Sequence, residues 1–590
     1  MRPIAVLAAG AISPLGLGAQ ATRVGAPGEE PRSLVQHDPE LAREGLKKPR
    51  SARVPDALLV DRGDRGDRGD RARALLDAAA RELATELAVQ LPDWRERRLI
   101  VLVGTSAGGM PSLERALSAH ASQTEVEPAL ARAAFYDGPL AALAPIVGSR
   151  VRTVSVLGAC AASTLAVGLG CRLLEAGEAD LVIAGGYDAL STFLAVGFEA
   201  LGATTAGAPL PFQTARDGLA LGEGAALVAL MRASDVPAGR SCRGFVLGFG
   251  ATSDATHVTA PDPSGRGLAA AAHRALADAQ VDPSAIDLVS AHATATAHND
   301  SAESRVLTSV FGSRLASLAV HPFKAVVGHT LGAAGLLESL AALDALGAGI
   351  LPGAPPHGAL DPGFLGQLLA ANQAGSPRLC LKLSAAFGGA NAALVLGKHP
   401  QGEGAPRPLR PVARLAVGPR VTEPDLDLLA RRTRLDEVRR SRLERASALA
   451  VTAVALALEP LGALAPETTG VVVSTMAASL EADELFDARR RHAGVSVEPR
   501  RFPATSPNLP AGVCTIAFDF RGPALAIGGG PGAAAEALAI ARALVAAGDA
   551  EHVVLVTCND VGPTTRMLCR AAGLEVPEDG AEAVVLGPAV

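Results

Sequence analysis

Short, wholly apolar runs alternate along this chain with longer segments rich in Ala, Leu, Glu and Arg. "LIVLVG" (99–104), "DLVIAGG" (180–186), "ALVALM" (226–231), "IDLVSAH" (286–292) and "LCLKLS" (379–384) are runs of the first kind. Strands that are apolar on both faces, set between helical stretches, predict sheets covered on both sides, and therefore an α/β chain. The opening "MRPIAVLAAGAISPLG" is broken by glycine and proline and reads as a first strand and turn, not as a leader. No uncharged apolar run reaches the ~18 residues a membrane span needs, so none is expected. Residues 61–71, "DRGDRGDRGDR", read as a solvated low-complexity loop in preference to an adhesion motif, and the Pro- and Gly-rich residues 399–411 as a linker.

The pattern repeats beyond that linker. "VLVGTSAGG" (101–109) is matched by "VVVSTMAAS" (471–479), an offset of 370; "CRLLEAGEADLVIAGG" (171–186) is matched by "RALVAAGDAEHVVLVT" (542–557), an offset of 371. Spacing held to one residue over that distance marks an internal duplication. "EAVVLG" (582–587) parallels "AALVAL" (225–230), so the copy covers only the first part of the main unit.

Composition narrows the class of function. With 590 residues the chain holds several domain-sized units, and a formal charge of −6 gives no basic excess for nucleic acid. Seven cysteines without framework spacing fit a reducing cytoplasm, and the absence of a CxxC argues against a cysteine zinc site; no metal is expected. One cysteine sits at a junction. Cys160, in "LGACAASTLA" (157–166), lies between a strand-like run (152–158) and a helix-like one. A lone cysteine is commonly core filler, so its position alone leaves filler and nucleophile both open. Three other stretches carry candidate chemistry. His292 follows a strand directly, in "HATATAHNDSAES" (292–304). Lys324 and His329 stand five apart in "KAVVGHTLGAAG" (324–335). A glycine turn separates two strand-like runs in "AAFGGANAALVLG" (385–397). The G-x-S-x-G hydrolase elbow is absent at Cys160.

Taken together, "ACAAS", "RDGLALGEGAA" (216–226), "DATHVTAP" (254–261), His-x-Thr-x-Thr, "GHTLGAAG" and "FGGANA" resemble the β-ketoacyl-[acyl carrier protein] synthases, the elongating and decarboxylating condensing enzymes, over residues 1–398. The spacing of His292, Asp300, Glu303, Lys324 and His329 also looks like that family. The resemblance implies a thiolase-like fold: two pseudo-repeated βαβαβ halves in an α-β-α-β-α layering, at 1–235 and 240–398, with the tail at 412–590 as a third, degenerate first-half copy. It implies Cys160 as nucleophile, made more acidic by the helix start that follows it. Two imidazoles, His292 and His329, suit a developing enolate. Lys324 and Glu303 would be a charge pair that orients them. The N–H groups of Cys160 and Phe387 would hold the acyl oxyanion, and Phe387 would be the gate. Thr294 and Thr296, assisted by Thr259, would bind pantetheine. No cofactor is expected beyond the phosphopantetheine of an acyl carrier protein, which is the expected partner. The basic "LKKPRSAR" (46–53) reads as a solvated charged loop, with contact to that acidic partner as the alternative.

The chain departs from the family pattern in places. "HATAT" stands for His-Gly-Thr-Ser-Thr, and "SAAFGGAN" has lost an aromatic-glycine pair. Residues 133–150 match poorly, while the tail carries the corresponding stretch as "RFPATSPNLPAG" (501–512). The tail has no counterpart of His292, Lys324 or His329, and the offset of 371 sets Pro531 where Cys160 would be. Two expectations follow for it. It packs on the first half as a built-in partner, like a halved chain-length-factor subunit, or it is a silent duplication of a homodimeric enzyme. Two other functions stay open at this stage: an acyltransferase of the same fold that does not condense, and a non-catalytic partner subunit.

Overall fold

The computed structural model describes residues 1–59, 70–355, 358–401, 407–493, 497–530 and 532–589. The tract at 61–69 and Pro531 lie outside the described residues, as does part of the expected linker; Asp70 and Arg71 belong to the first long helix and its cap. The first half contributes strands β1 (Ile4–Ser13), β2 (Leu99–Thr105), β3 (Arg152–Leu157), β4 (Leu181–Asp188) and β5 (Gly224–Arg232). The second half contributes β6 (Gly244–Ser253), β7 (Leu288–Ser290), β8 (Ala319–His321), β9 (Leu379–Ala385) and β10 (Ala390–Gly397). The tail contributes β11 (Val412–Val417), β12 (Thr469–Thr475), β13 (Ala524–Gly528), β14 (His552–Asn559) and β15 (Gly580–Pro588).

All of these join one hydrogen-bonded sheet, in the order β8-β7-β9-β10-β6-β1-β5-β4-β2-β3-β13-β12-β14-β15-β11. The same five-strand motif occurs three times in that order, as β3-β2-β4-β5-β1, as β8-β7-β9-β10-β6 and as β13-β12-β14-β15-β11. Each motif has three parallel strands followed by two antiparallel ones. The tail meets the first half through β13 and β3, paired antiparallel with Ala526 opposite Leu157 and Ile527 opposite Val156.

Helices cover both faces: α1 (Arg71–Gln90), α2 (Ala162–Glu175), α3 (Thr192–Ala200), α4 (Arg266–Ala279), α5 (Ala297–Phe311), α6 (Ala334–Ala348), α7 (Arg445–Leu458), α8 (Leu480–Ala493), α9 (Leu509–Phe518) and α10 (Ala533–Ala547). Asp70 fixes the start of α1 by accepting from the N–H groups of Ala72 and Arg73, and Gly349, at φ +69°, ends α6. Every residue of α2 from Ala162 to Leu174 is buried, which marks a central helix covered on all sides. α2, α6 and α10 share one core with the inward faces of the folded-over sheet, whereas α1, α4 and α7 pack on its outer faces, giving five layers. Leu331–Ala348 is long and apolar enough to cross a membrane; 83% of it is buried inside this core, and Glu338 and Asp344 interrupt it.

One buried charge cluster ties three parts of the chain together. Arg172 of α2 is fully buried and pairs with Glu175, with Asp278 of the second half at 2.9 Å and with Asp549 of the tail at 2.6 Å. Arg407, between the second half and the tail, reaches Asp278 at 2.6 Å.

Candidate active site

β3 runs into a single tight turn, Ala159–Ala161, and then into α2, so Cys160 stands at a strand-to-helix junction. The turn needs small residues. A Cβ on Gly104 would lie 2.4 Å from the carbonyl carbon of Ala162, so only glycine lets β2 approach the helix start. Ala159 is held at φ +45°, a left-handed conformation unusual for alanine. Cys160 is 8% exposed. Burial pushes its thiol up to about 12, aided by Asp188 and Glu338 and opposed by Lys324. The expected acidic thiol is therefore corrected: in the closed site desolvation exceeds the electrostatic pull of the cation. Cys160 and Phe387 each stand in a single short turn, Ala159–Ala161 and Phe387–Gly389.

His292 follows β7, and His329 follows the short helix Lys324–Val327. Their rings stand 5.7 Å apart and nearly perpendicular, at 87°. His329 Nδ1 accepts the Leu331 N–H at 3.2 Å, so its hydrogen sits on Nε2. Lys324 Nζ lies 3.4 Å from His292 Nδ1, which leaves Nε2 as the donor there too. Burial holds both rings well below the usual imidazole value, with Lys324 adding repulsion, so both are neutral at physiological pH.

The supporting charges differ from the expected pair. Lys324 Nζ pairs with Glu338 at 2.6 Å and donates to the His292 carbonyl oxygen at 2.6 Å. Glu338 also reaches Lys382 Nζ at 2.6 Å. Glu303 accepts instead from the N–H groups of His292 at 2.6 Å and Ala293 at 2.7 Å. Geometry explains the exchange, because each Glu303 oxygen is already committed to the backbone of the His-Ala-Thr-Ala-Thr turn. Asp300 braces the same turn through the Ala295 N–H at 3.1 Å and accepts the Phe212 N–H of a separate loop at 2.8 Å, and burial raises its carboxyl to about 7. Glu338 and Lys382 were overlooked. Their signal was a charge set inside a largely apolar helix, which also carries Asp344, and a lone charge inside an otherwise apolar strand. Where glycine was expected, Ala293 adopts φ +44°, and Ala295 adopts φ +64°.

Thr294 and Thr296 have their hydroxyls 3.0 Å apart. Thr259 lies in another loop, ordered by His257 Nδ1, and makes no hydrogen bond with them. That loop touches the turn after Phe387, where the Gly388 N–H donates to Val258 O at 2.8 Å. Lys48, in the basic stretch, is tied down by bonds to Thr204 O and Asp217.

The tail completes the surroundings of Phe387. Asn508 Nδ2 donates to the Phe387 carbonyl at 2.8 Å. Phe502 of the tail packs on Phe198 at 5.1 Å, and Phe198 on Phe387 at 5.7 Å. Cys160 shares that apolar cluster with Phe486 and Phe502. Gly197 leaves room for the ring, since a Cβ there would fall 2.2 Å from Phe502. Tyr136 reaches the other way and hydrogen-bonds Ser479, Asp483 and the Thr505 carbonyl. The duplicated turn is kept with one change of chemistry. Asp188 accepts from Thr105, Ser106, Ala107 and, across the halves, Gly332. Its counterpart Asn559 accepts from Thr475, Met476 and Ala477 through a single oxygen.

Comparison with known proteins places these features in one family. The β-ketoacyl synthase N-terminal domain matches residues 43–236 and again 427–584, and the β-ketoacyl synthase C-terminal domain matches 243–356. A curated relative, 3-oxoacyl-[acyl-carrier-protein] synthase 2 of Staphylococcus aureus (strain N315), is 30% identical over 271 residues, 44% of this chain. The chain spans 66% of that relative's length. Among solved structures, the PfaC keto synthase–chain length factor covers the whole chain and 78% of its own length at 19% identity, with a TM-score of 0.77. The ishigamide ketosynthase/chain length factor covers 68% of the chain and 99% of its own length at 30% identity, with a TM-score of 0.61. With the N-terminal domain found twice and the C-terminal domain once, the chain belongs to the β-ketoacyl synthase family.

Proposed function

We propose that this protein joins carbon chains by decarboxylative Claisen condensation, using thioesters carried on the phosphopantetheine of an acyl carrier protein in the cytoplasm, and that it needs no resident cofactor. The observation that carries the reading is the pair of neutral imidazoles, each engaged at Nδ1 and free to donate from Nε2.

Cys160 sulfur attacks the acyl thioester carbonyl, a new C–S bond forms, and the pantetheine thiol leaves with the proton. The N–H groups of Cys160 and Phe387 receive the oxyanion. Thr294 and Thr296 bind the pantetheine arm, with Thr259 at its entrance. A malonyl thioester then loses CO₂: its C–C bond breaks and the electron pair moves onto the thioester oxygen. His292 and His329 donate to that enolate oxygen. Water would compete for the carbanion, and the buried setting excludes it. The enolate carbon attacks the acyl-cysteine carbonyl, and collapse breaks the C–S bond and expels the Cys160 thiolate, which takes one proton from solvent as the product leaves. Lys324, held by Glu338, is a positioning residue that fixes the His292 tautomer; Glu303 fixes its backbone. Phe387 gates the two stages. The tail serves as a chain-length-factor-like partner built into the chain, and Phe486 and Phe502 border the acyl binding site.

The test is direct. The full chain is mixed with an acyl- and a malonyl-carrier protein, and CO₂ release and the β-ketoacyl product are measured together. Product with stoichiometric CO₂ supports condensation. Acyl exchange without CO₂ would make it an acyltransferase, and neither activity would make it a partner subunit.

A further inference from the structure

Lys382 has no part in the mechanism above, yet it is buried directly behind it. Along β9, Leu379, Leu381 and Leu383 enter one core and Cys380 enters the core on the opposite face. Lys382 shares the face of Cys380 and is 0% exposed. Its Nζ lies 2.6 Å from Oε2 of Glu338 and donates to the Leu383 carbonyl. The other oxygen of the same carboxylate, Oε1, takes Lys324 Nζ at 2.6 Å. One glutamate of α6 thus bridges two lysines, and Lys324 in turn holds His292.

A second buried ammonium is expensive, and an apolar residue would fill an inner strand at lower cost. Charge balance supplies its use. Around the two imidazoles stand Lys324 on its short helix, Lys382 on β9, Glu338 on α6 and Glu303 on α5. Burial lowers the Lys382 ammonium, and Glu338 opposes that. Burial raises the Glu303 carboxyl, and the N–H groups of Ala293 and His292 oppose that. Two ammonium groups meet two carboxylates, so the four together carry no net charge. Without Lys382, one uncompensated negative charge would stay buried beside the rings. It would favour imidazolium and oppose an enolate. Lys382 is one of the cations that keep both rings neutral, after burial and Lys324. The other titratable neighbours are the Cys160 thiol, Asp188 on the Gly332 N–H, Asp300 on the Ala295 N–H, and His321, which stands level with Lys382 across Ser290 of β7. All of these stay in place when Lys382 is changed.

Resting on the condensing reading, we propose that Lys382 is a second positioning residue for decarboxylation: it occupies Oε2 of Glu338, leaves Oε1 to Lys324, and balances the charge behind His292 and His329. It acts through Glu338 and through its field, not on the substrate.

The experiment follows the histidine ring nitrogens of the full chain by NMR from pH 8 to 5, with His292→Ala and His329→Ala to assign the signals. Malonyl-carrier protein decarboxylation is measured over the same range. The parent rings should keep their neutral shifts, and the parent rate should stay flat. In Lys382→Met at least one ring should have its midpoint raised into this range, by about one pH unit or more, and the rate should fall toward acid along the same curve. Lys382→Met/Glu338→Gln removes one charge of each sign, and both rings should fall silent again. A purely structural lysine predicts the reverse, a double variant at least as disturbed as the single one. A single variant with silent rings and a flat rate, or a double variant whose rings titrate like those of the single one, overturns the proposal. If the single variant does not fold, the double variant decides: folded with silent rings, it supports the balance; unfolded or titrating, it overturns it. The ring titration needs no substrate, so a parent that releases no CO₂ sinks the condensing reading while the rings still report on Lys382.

Discussion

Asn508 donates its side-chain amide to the carbonyl oxygen of Phe387 at 2.8 Å, across the junction between the tail and the second half. The bond joins a residue of the third motif to the glycine turn of the second. It is accompanied by a backbone approach that tolerates no side chain: a Cβ on Gly512 would lie 2.5 Å from the Gly388 oxygen. The loop after Phe387 turns through φ +82° and +79° at Gly388 and Gly389.

Removing that support should slow the gate. Asn508→Ala is expected to cost about 1–3 kcal/mol in stability if the Phe387 carbonyl stays buried, and to lower condensation more than acyl loading. Gly512→Ala should be worse, although alanine ordinarily favours a helix, because the obstruction is backbone. Gly530→Ala, in open space, is the control and should be neutral. Melting curves and the ratio of loading to condensation rates measure both effects; equal behaviour of the two glycine variants would count against the packing argument.

His292→Ala and His329→Ala should each reduce malonyl decarboxylation by about a hundredfold or more, the usual cost of one oxyanion donor. Cys160 loading should largely survive. Both rings are held well below the ordinary imidazole value, so neither should protonate as pH falls from 8 to 6. Decarboxylation should stay flat over that interval, and a downturn centred near 6.5 would show that one imidazole is more solvated than the structure has it.

The duplication and the chemistry were legible from different signals. The constant offset revealed the third motif, and Thr105 and Thr475 hold equivalent turns. Asp188 and Asn559 mark where the copies differ: Asp188 also accepts from Gly332 of the second half, whereas Asn559 accepts only from its own turn, through one oxygen. The Cys-His-His set was visible because its motifs are contiguous. The Lys324 partner was not, since Glu338 meets it only when α6 folds against the short helix. The Asn508 contact was equally hidden, spanning 121 residues and existing only once the tail has docked. Strain at Ala159, Ala293 and Ala295 leaves no trace in a sequence read for glycine.

The buried Cys160 thiol gives a pH signature. With burial pushing it up to about 12, its alkylation should keep rising with pH beyond 9 and show no plateau near neutrality. Small electrophiles should label the half-exposed Cys242 first, and only an acyl-like electrophile that enters the pocket should favour Cys160. Cys160→Ala should abolish acyl loading. An early plateau in the alkylation profile, read by mass mapping, would mean that a cation compensates burial.

Glu114 couples the tail to pH. It accepts the Phe193 N–H at 2.9 Å and faces Arg490 of the tail at 3.3 Å, yet burial raises it to about 7. Its folded value lies above the unfolded 4.5, so its contribution is fully present below 4.5 and is lost as pH rises through 7. Glu114→Gln keeps the acceptor and removes the titration. The variant should match the parent near pH 4.5 and be more stable at pH 8, by about 2–3 kcal/mol at most. Thermal melts at the two pH values decide it; identical differences at both would place the ionised form comfortably in the fold.

Cutting the chain after residue 398 tests what the tail does for the catalytic unit. The loss uncovers β3, whose Ser155, Val156 and Leu157 pair with β13 and are buried. A flat apolar edge of this kind recruits another strand. It also strips Phe486 and Phe502 from the cluster around Cys160, and Asp549 from Arg172, whose guanidinium is fully buried. Removing one partner of a buried ion pair typically costs about 3–5 kcal/mol, since the remaining charge stays desolvated; here Asp278 and Glu175 still hold the guanidinium, so the loss should fall toward the lower end. The truncated protein is therefore expected to melt lower, bind hydrophobic dye, and either aggregate or dimerise through β3. Dimerisation would restore the strand pairing without restoring Asn508, so condensation should recover less than stability does. Sedimentation, dye binding and the condensation assay on the same sample separate these outcomes. A monodisperse monomer with parental melting and product length would mean that the tail supports neither the edge nor the acyl site.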